Sequence, residues 1–338
     1  MENLKHPYPK QLFVFGQDTS LGEEVAQKLE IIPAKFHIKK FSNGEKIPHQ
    51  EETVRGRDVY IIFTSLNFEN INSYFSNYLS FVRSIKNGQP HRITVIMPKL
   101  IWQRQDVENR ELREPKLSDF YPELLQTAGM DTMVVLKLHN PASCSTTPPM
   151  ENFDTTKLII DHIFSSFTDL SHLAIGAADM GGSKYSRKIA EALQVPLIIV
   201  DKDRDIKTGK TRAINVYTEG EIDEKIDTIL FVDDLINTFG SISDAGDALF
   251  KKHPHIKNYH ALATHADFGP ETLEKITKSR FQKIWLTNTV PISKEFQNEI
   301  EKAGKEIEII STAVLIAQVI DNLHNGHSVS ALWTKKDK

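Results

Sequence analysis

The amino-acid sequence predicts an α/β fold of two duplicated domains, each a mostly parallel sheet flanked by helices. Short apolar or β-branched runs alternate with stretches in which apolar residues recur at spacings of three and four, a pattern typical of a buried parallel sheet. The two halves also resemble each other at a separation of about 165 residues. A chain of 338 residues has room for two domains of about 150 residues each.

The predicted elements follow one another along the chain. Strands are expected at 12–15, 59–64, 93–97, 133–138, 173–175, 197–200, 228–232, 261–264, 284–287 and 307–310. Helices are expected at 21–29, 71–85, 118–128, 184–193, 241–250 and 312–323. The repeat pairs the segments that begin at Gly16, Arg57 and Arg92 with those that begin at Ala178, Lys225 and Tyr259. Chance similarity between α/β units is the alternative explanation.

The domain boundary is expected in the loop at 140–152, which contains Pro141, Pro148 and Pro149 as a linker would. We therefore predict an N-terminal domain at 8–150, a C-terminal domain at 151–315, and a C-terminal helix and tail at 316–338.

Composition excludes several classes of protein. Lys and Arg number 41 against 45 Asp and Glu, so the chain lacks the basic excess that nucleic-acid binding draws on. A single cysteine, Cys144, cannot form an intrachain disulfide, which suits a reducing compartment. No signal-peptide core and no stretch of about 18 apolar residues is present. We expect a cytoplasmic protein that binds neither nucleic acid nor a membrane.

The most informative motif is ILFVDDLINTFGS at 229–241. An apolar strand runs into Asp233 and Asp234, and a short loop of small and hydroxyl residues leads into an amphipathic helix. Backbone N–H groups at the start of that helix, with the hydroxyls of Thr238 and Ser241, suit a phosphate. The paired carboxylates suit vicinal sugar hydroxyls. The segment predicts a ribose 5-phosphate site, and an ordinary acidic turn is the alternative.

This segment resembles the phosphoribosyl-binding loop of the type I phosphoribosyltransferase fold. The chain from Leu12 to about Trp333 is similar to the ribose-phosphate pyrophosphokinase family, the phosphoribosyl pyrophosphate (PRPP) synthetases. The similarity rests on motifs in the family's order: FSNGE at 41–45, VRG at 54–56, RQD at 104–106, REP at 113–115, LH at 138–139, DMGG at 179–182, DKDR at 201–204, the segment 233–241, TNTVP at 287–291 and SVS at 328–330.

The resemblance implies a transferase that serves nucleotide biosynthesis. In the family, the anomeric hydroxyl of ribose 5-phosphate attacks the β-phosphorus of ATP, and PRPP and AMP are formed. The resemblance further implies a Mg²⁺ cofactor and a homo-oligomer built from dimers, up to a hexamer.

The same resemblance implies roles for individual residues. Lys202 and Arg204 are the expected catalytic residues, because transfer of this kind needs positioned cations, although a solvated charged loop is the alternative. ATP is expected to bind Phe41, Asn43, Glu45, Arg104, Gln105 and Asp106. Ribose 5-phosphate is expected to bind Asp233, Asp234, Asn237, Thr238, Phe239, Gly240 and Ser241. The metal is expected to bind His139 and Asp179. The first half has Phe63 and Thr64 in place of the acidic pair, so only the second half should bind the sugar phosphate.

Three departures from the family pattern bear on activity. Lys137 stands where the family usually has an acidic residue before its metal histidine, and Asn237 replaces the usual aspartate of the phosphate loop. The segment KLSDF at 116–120 replaces a stretch that helps to form a regulatory phosphate and ADP site. Two other interpretations therefore stay open: a catalytically silent PRPP synthetase-associated regulatory subunit, and a phosphoribosyltransferase that consumes PRPP.

Overall fold

The structure, a computed structural model, describes residues 7–64, 71–145, 148–204, 211–329 and 332. The chain divides into two compact units. Unit 1 comprises Met1–Asp154, Thr289–Pro291 and Ser311–Lys338, whereas unit 2 comprises Thr155–Asn288 and Ile292–Ile310. The chain therefore returns to unit 1 after unit 2.

Unit 1 is built on a parallel sheet of five strands. In sheet order, the strands are β1 (Lys10–Gly16), β4 (Asp58–Thr64), β5 (Arg92–Met97), β6 (Thr132–Leu136) and β7 (Met150–Phe153). A separate antiparallel hairpin consists of β2 (Phe36–Lys40) and β3 (Lys46–Gln50). The helices of this unit are α1 (Ser20–Lys28), α2 (Ile71–Asn87), α3 (Phe120–Ala128) and the C-terminal α9 (Ala313–Asn325), and a 3-10 turn spans Pro141–Ser145.

Both faces of this sheet are buried. Alternate residues of β4 enter different cores: Val59, Ile61 and Phe63 pack with residues of α2, whereas Tyr60 and Ile62 pack with residues of α1 and α9. This alternation is the period of a strand, and it explains why every residue of β4 is buried. The segment predicted as a separate C-terminal helix and tail thus contributes α9 to the core of unit 1. Residues 330, 331 and 333–338 of that tail lie outside the described residues.

Unit 2 is built on a sheet of seven strands. In sheet order, they are β10 (Thr211–Glu219), β9 (Leu197–Arg204), β8 (Leu173–Ala177), β11 (Thr228–Ile236), β12 (Asn258–Ala266), β13 (Lys283–Thr287) and β14 (Glu306–Ile310). The edge strand β10 pairs antiparallel with β9, and the other neighbours are parallel. The helices are α4 (Thr156–Ser166), α5 (Ser183–Leu193), α6 (Gly240–Lys252), α7 (Thr272–Lys278) and α8 (Lys294–Lys302).

The structure adds elements that the sequence patterns did not predict, and it lengthens others. Strands β7 and β10, both strands of the β2–β3 hairpin, and helices α4, α7 and α8 are additional. The loop predicted as a linker at 140–152 contains the 3-10 turn and most of β7, an edge strand of unit 1.

Strand β11 reaches Ile236, because its pairing with β12 continues through Asp233↔Ala263 and Ile236↔Ala266. Asp233 and Asp234 therefore lie within a strand rather than after it.

The described part of the chain contains no helix that is long and apolar enough to cross a membrane.

Candidate active site

A carboxylate of β11 and a carboxylate of the turn that follows the neighbouring strand β8 lie close together in unit 2. Strand β11 pairs with β8 only as far as Phe231↔Gly176, so β11 extends past the end of β8 and alongside the turn that follows it. In that turn, Asp179 Oδ1 accepts a hydrogen bond of 2.8 Å from Gly182 N. A Cβ atom placed on Gly182 would lie 3.6 Å from Oδ1 of both Asp179 and Asp233. The topology thus brings together two acidic residues that are far apart in sequence.

The electrostatics of this cluster favour a bound cation or hydrogen-bond donor. Removal from water raises the pKa of Asp233 well above its usual range, and the neighbouring carboxylates of Asp234 and Asp179 raise it further. Mg²⁺ is commonly bound by one or two carboxylates together with substrate phosphates. Asp179 and Asp233 provide oxygen donors for such an ion. Among the residues that the structure describes, no group of three or more His, Cys, Asp or Glu side chains has the geometry of a metal site.

The loop after β11 has the backbone of an anion site. Phe239 adopts a left-handed conformation (φ 63°), which costs a non-glycine residue about 1–2 kcal/mol. Its ring is 2% exposed and packs edge-on against Phe281, with 5.2 Å between ring centroids. This packing holds the loop in its strained form. Helix α6 then begins at Gly240 without a side-chain cap, so its first turn suits a phosphate.

The side chain of Asn237, an expected ribose 5-phosphate ligand, also takes part in a hydrogen bond within unit 2. Its side-chain Nδ2 donates a hydrogen bond of 2.8 Å to the carbonyl of Asp267. Its own carbonyl accepts hydrogen bonds from Thr272 Oγ1 at 2.6 Å and from Gly269 N at 3.3 Å. An aspartate could not donate to the Asp267 carbonyl, because a carboxylate has no N–H. The amide ties the loop to the connection between β12 and α7.

Lys202 and Arg204 lie near the end of β9. In the register of the antiparallel pair, Lys202 is opposite Ile214 and Arg204 is opposite Thr211. Residues 205–210, which follow, lie outside the described residues. The structure gives the backbone position of both expected catalytic residues, and their roles remain predictions.

The expected adenine-binding residues lie at the tip of the β2–β3 hairpin in unit 1. Phe41 N donates to Glu45 O at 2.8 Å, and Glu45 N donates to Asn43 Oδ1 at 3.1 Å. Gly44 occupies the left-handed region that this tight turn requires (φ 91°). The Phe41 ring is 42% exposed, and Lys39 Nζ lies 5.1 Å from its centroid. The tip therefore presents an aromatic face and polar groups to solvent.

The second expected ATP-binding segment follows β5. The carbonyl of Gln105 accepts hydrogen bonds from Leu117 N at 2.8 Å and Ser118 N at 3.0 Å, which close the loop. Asp106 Oδ2 accepts a hydrogen bond of 2.8 Å from Asn140 Nδ2, so the residue next to His139 is tied to this loop. Arg104 and His139 are exposed. The structure thus brings the 104–106 segment and His139 into one region of unit 1.

The lysine that departs from the family pattern has a partner. Lys137 Nζ lies 3.7 Å from Asp154 Oδ1. Its positive charge is therefore partly balanced within unit 1.

Sequence reasoning did not identify Lys275, a residue of α7. Its Nζ lies 3.3 Å from the position that a Cβ atom would take on Gly240, the first residue of α6. Because α7 was not predicted, no pattern connected Lys275 with the loop.

Two family profiles match the chain. The N-terminal domain of ribose phosphate pyrophosphokinase matches residues 10–129, and the phosphoribosyl synthetase-associated domain matches residues 177–334. A ribose-phosphate pyrophosphokinase from Fusobacterium nucleatum is 30% identical over 324 residues, which are 96% of this chain and 98% of that protein. This chain belongs to the ribose-phosphate pyrophosphokinase family.

Other members of the family align over nearly their full length. The ribose-phosphate pyrophosphokinase of Clostridium acetobutylicum is 28% identical over 334 residues, covering 98% of this chain and 100% of that protein. The crystal structure of phosphoribosylpyrophosphate synthetase from Mycobacterium smegmatis superimposes with a TM-score of 0.80 at 25% identity, covering 94% of this chain and 99% of that chain. The predictions of family, fold class and transferase class are confirmed.

Enzymes of the ribose-phosphate pyrophosphokinase family generally require a divalent metal. The carboxylates of Asp179 and Asp233, which lie near one point, are the hard oxygen donors that such an ion prefers. The chemistry of this donor set therefore fits the family's requirement.

Proposed function

We propose that this chain transfers the pyrophosphoryl group of ATP to the anomeric hydroxyl of ribose 5-phosphate. The hydroxyl oxygen forms a bond to the β-phosphorus, the bond from that phosphorus to the oxygen of the α-phosphate breaks, AMP leaves, and the hydroxyl proton is released. The products are PRPP and AMP. The observation that carries the proposal is the β11–α6 connection, where a carboxylate pair is followed by a strained loop and an uncapped helix start.

The connection suits the two ends of a sugar phosphate. Asp233 and Asp234 would accept hydrogen bonds from the ribose hydroxyls, because carboxylates are strong acceptors. The segment that contains Thr238, Phe239, Gly240 and Ser241 would bind the 5-phosphate at the start of α6. Asn237, whose side-chain Nδ2 is hydrogen-bonded to the Asp267 carbonyl, would complete the ribose 5-phosphate site as part of the same loop.

The remaining roles rest on family membership and on chemistry. Lys202 and Arg204 would stabilise negative charge on the transferring group, since such transfer relies on positioned cations more than on covalent chemistry. By family resemblance, Asp179 of unit 2 and His139 of unit 1 would each be a ligand for Mg²⁺, which would neutralise the phosphates of ATP. ATP would bind the hairpin residues Phe41, Asn43 and Glu45, together with Arg104, Gln105 and Asp106. We also propose that the chain acts in the cytoplasm.

Exposure of the hairpin tip supports a homo-oligomer with shared active sites. An aromatic ring and polar groups that are presented to solvent suit contacts with ATP held by a neighbouring subunit. The assembly would be built from dimers, up to a hexamer.

One assay separates the candidate functions. The purified chain is incubated with ATP, Mg²⁺ and ribose 5-phosphate, and the nucleotide product is identified by chromatography. AMP together with PRPP is the expected result. ADP as the sole nucleotide product would indicate an ordinary kinase, and ATP binding without turnover would indicate the regulatory subunit. Consumption of added PRPP with a nucleobase would indicate a phosphoribosyltransferase.

A further inference from the structure

An ammonium group lies over the start of α6. A Cβ atom on Gly240 would lie 3.3 Å from Lys275 Nζ and 3.4 Å from Thr238 Oγ1. The two polar groups therefore flank the same glycine, at the point where the loop becomes a helix. Lys275 Nζ also pairs with Glu271 Oε2 at 3.0 Å, and its side chain is 37% exposed. An anion that enters from solvent can reach this ammonium.

The position of Lys275 is set by hydrogen bonds between α7 and the loop. Thr272 precedes Lys275 by three residues and so lies on the same face of α7. Its hydroxyl donates to the carbonyl of Asn237 at 2.6 Å, and its side chain is fully buried. Gly269 N donates to the same carbonyl at 3.3 Å, and Asn237 Nδ2 donates to Asp267 O at 2.8 Å. These contacts direct one face of α7 toward the loop.

The loop itself provides no cation, so any cation at the phosphate comes from elsewhere in the chain. The segment 237–241 contains no Lys or Arg, and the nearest charged residues along the chain are Asp234 and Asp244, which are both acidic. The start of a helix offers only about half an elementary positive charge, which is less than the charge of a phosphate dianion. Glycine at 240 leaves the approach to the loop open, since any side chain there would press against Lys275.

We infer that Lys275 is a substrate-binding residue that contacts the 5-phosphate of ribose 5-phosphate together with Thr238 and the start of α6. Glu271 is its internal counter-ion, and the phosphate replaces that carboxylate when the sugar binds. The inference rests on the proposed function. Beyond that function, it makes Lys275 one of the residues by which the protein prefers ribose 5-phosphate to unphosphorylated ribose.

The test compares Lys275→Met with Lys278→Met. Lys278 is on the same helix and pairs with Glu274 at the same spacing, but its side chain is 74% exposed. Loss of a charge-assisted hydrogen bond should raise the KM for ribose 5-phosphate about 10- to 100-fold in Lys275→Met. The KM for ATP and kcat should stay within about threefold of wild type. Lys278→Met should match wild type, and Lys275→Arg should regain most of the loss.

A second variant separates binding from support of the helix. Glu271→Gln frees the ammonium of Lys275, so it should lower the KM for ribose 5-phosphate about two- to fivefold. If the pair only stabilised α7, Glu271→Gln and Lys275→Met would have the same small effect, and the inference would be wrong.

Calorimetric titration with ribose 5-phosphate tests the role of Lys275 in binding without relying on enzyme turnover. Tight binding by wild type and weakened binding by Lys275→Met support the role of Lys275, even if no AMP is formed and the proposed reaction fails. Equal binding by wild type, Lys275→Met and Lys278→Met overturns the inference while the proposed reaction stands. Absence of binding to wild type overturns both.

Discussion

Five strands of each unit follow the same sheet order, β1-β4-β5-β6-β7 in unit 1 and β8-β11-β12-β13-β14 in unit 2, but the corresponding strands β4 and β11 end differently. In unit 2, β11 ends beside Asp179 with two carboxylates and an open loop, whereas in unit 1 the corresponding strand β4 ends with Phe63 and Thr64. Phe63 is buried in the core, and the Thr64 hydroxyl donates to the carbonyl of Asp18. A Cβ atom on the neighbouring Gly16 would overlap the carbonyl of Thr64. One end is therefore open to a ligand, and the other is closed by packing.

The amino-terminal ends of β4 and β11 show the reverse contrast, because here the strand of unit 1 carries the buried charge. In unit 1, the first residue of β4 is Asp58, which is fully buried. Arg92 donates to both of its carboxylate oxygens at 2.9 and 2.7 Å, and His324 Nδ1 of α9 lies 2.8 Å away. In unit 2, the first residue of β11 is Thr228, whose hydroxyl donates to Asp227 at 2.7 Å. Charge is thus buried in ion pairs at the amino-terminal end of β4, whereas β11 carries its carboxylates near its carboxyl-terminal end.

The largest expected effect is on stability, from Asp58→Asn in unit 1. Removal of one partner from a buried ion pair costs about 3–5 kcal/mol, because Arg92 is left without its carboxylate. Burial alone would raise the pKa of Asp58, but hydrogen bonds from Arg92, His324 and Tyr60 hold it below its usual value of 3.8. The stabilisation is complete at neutral pH and is lost as the pH falls through that lowered pKa.

Thermal melting across pH checks this prediction. The difference in Tm between wild type and Asp58→Asn should be large at neutral pH and should shrink below about pH 4. Glu219→Gln is the control in unit 2, since it removes an exposed partner of Arg187 and should change the Tm little at any pH. A Tm difference that does not change with pH would refute the role assigned to the Asp58 carboxylate.

The next largest effect is on turnover, from Lys202→Ala in unit 2. Loss of a cation directed at transition-state charge should lower kcat about 10²- to 10³-fold, with little change in the binding of ribose 5-phosphate. Steady-state kinetics and calorimetry separate the two quantities. An unchanged kcat would assign Lys202 to a solvated loop.

Mixing of variants tests whether the hairpin of unit 1 serves a second subunit. One chain carries Asn43→Ala with Glu45→Ala, and the other carries Lys202→Ala. If sites are shared and subunits exchange at random, about a quarter of the sites should combine an intact hairpin with an intact Lys202. Activity should then exceed that of either variant alone. Demonstrated exchange without recovered activity would mean that each subunit builds its own ATP site.

The smallest effect compares the two strand ends directly. Asp234→Ala should raise the KM for ribose 5-phosphate about tenfold, because hydrogen bonds to a charged group are lost. Thr64→Ala, at the equivalent position in unit 1, should leave that KM unchanged and cost about 1 kcal/mol of stability. Initial-rate kinetics and thermal melting measure both. A change in KM from Thr64→Ala would contradict the assignment of the sugar site to unit 2.

Sequence patterns predicted those features of the candidate site that lie within one continuous segment of the chain. The carboxylate pair, the loop and the start of the helix at 233–241 are contiguous, so a ribose 5-phosphate site could be predicted there without the rest of the fold. Helix α7 has only seven residues, a length that is marginal without tertiary contacts. Lys275 becomes relevant only through the hydrogen bonds between Thr272 and Asn237. Sequence alone could not reveal that the Asn237 amide supports the loop, because its partner Asp267 is 30 residues away.

Because the chain returns to unit 1 after unit 2, unit 1 cannot be completed during synthesis until unit 2 has been made. Most of unit 1 is made first, but α9, which supplies Ile316 and Val319 to the core beside Tyr60, is made last. A nascent chain that ends before α9 leaves this apolar face of the first sheet without part of its cover. Unit 2, by contrast, is finished once β14 has been made. The first unit to emerge from the ribosome therefore becomes complete only after unit 2, and part of its apolar surface stays uncovered until then.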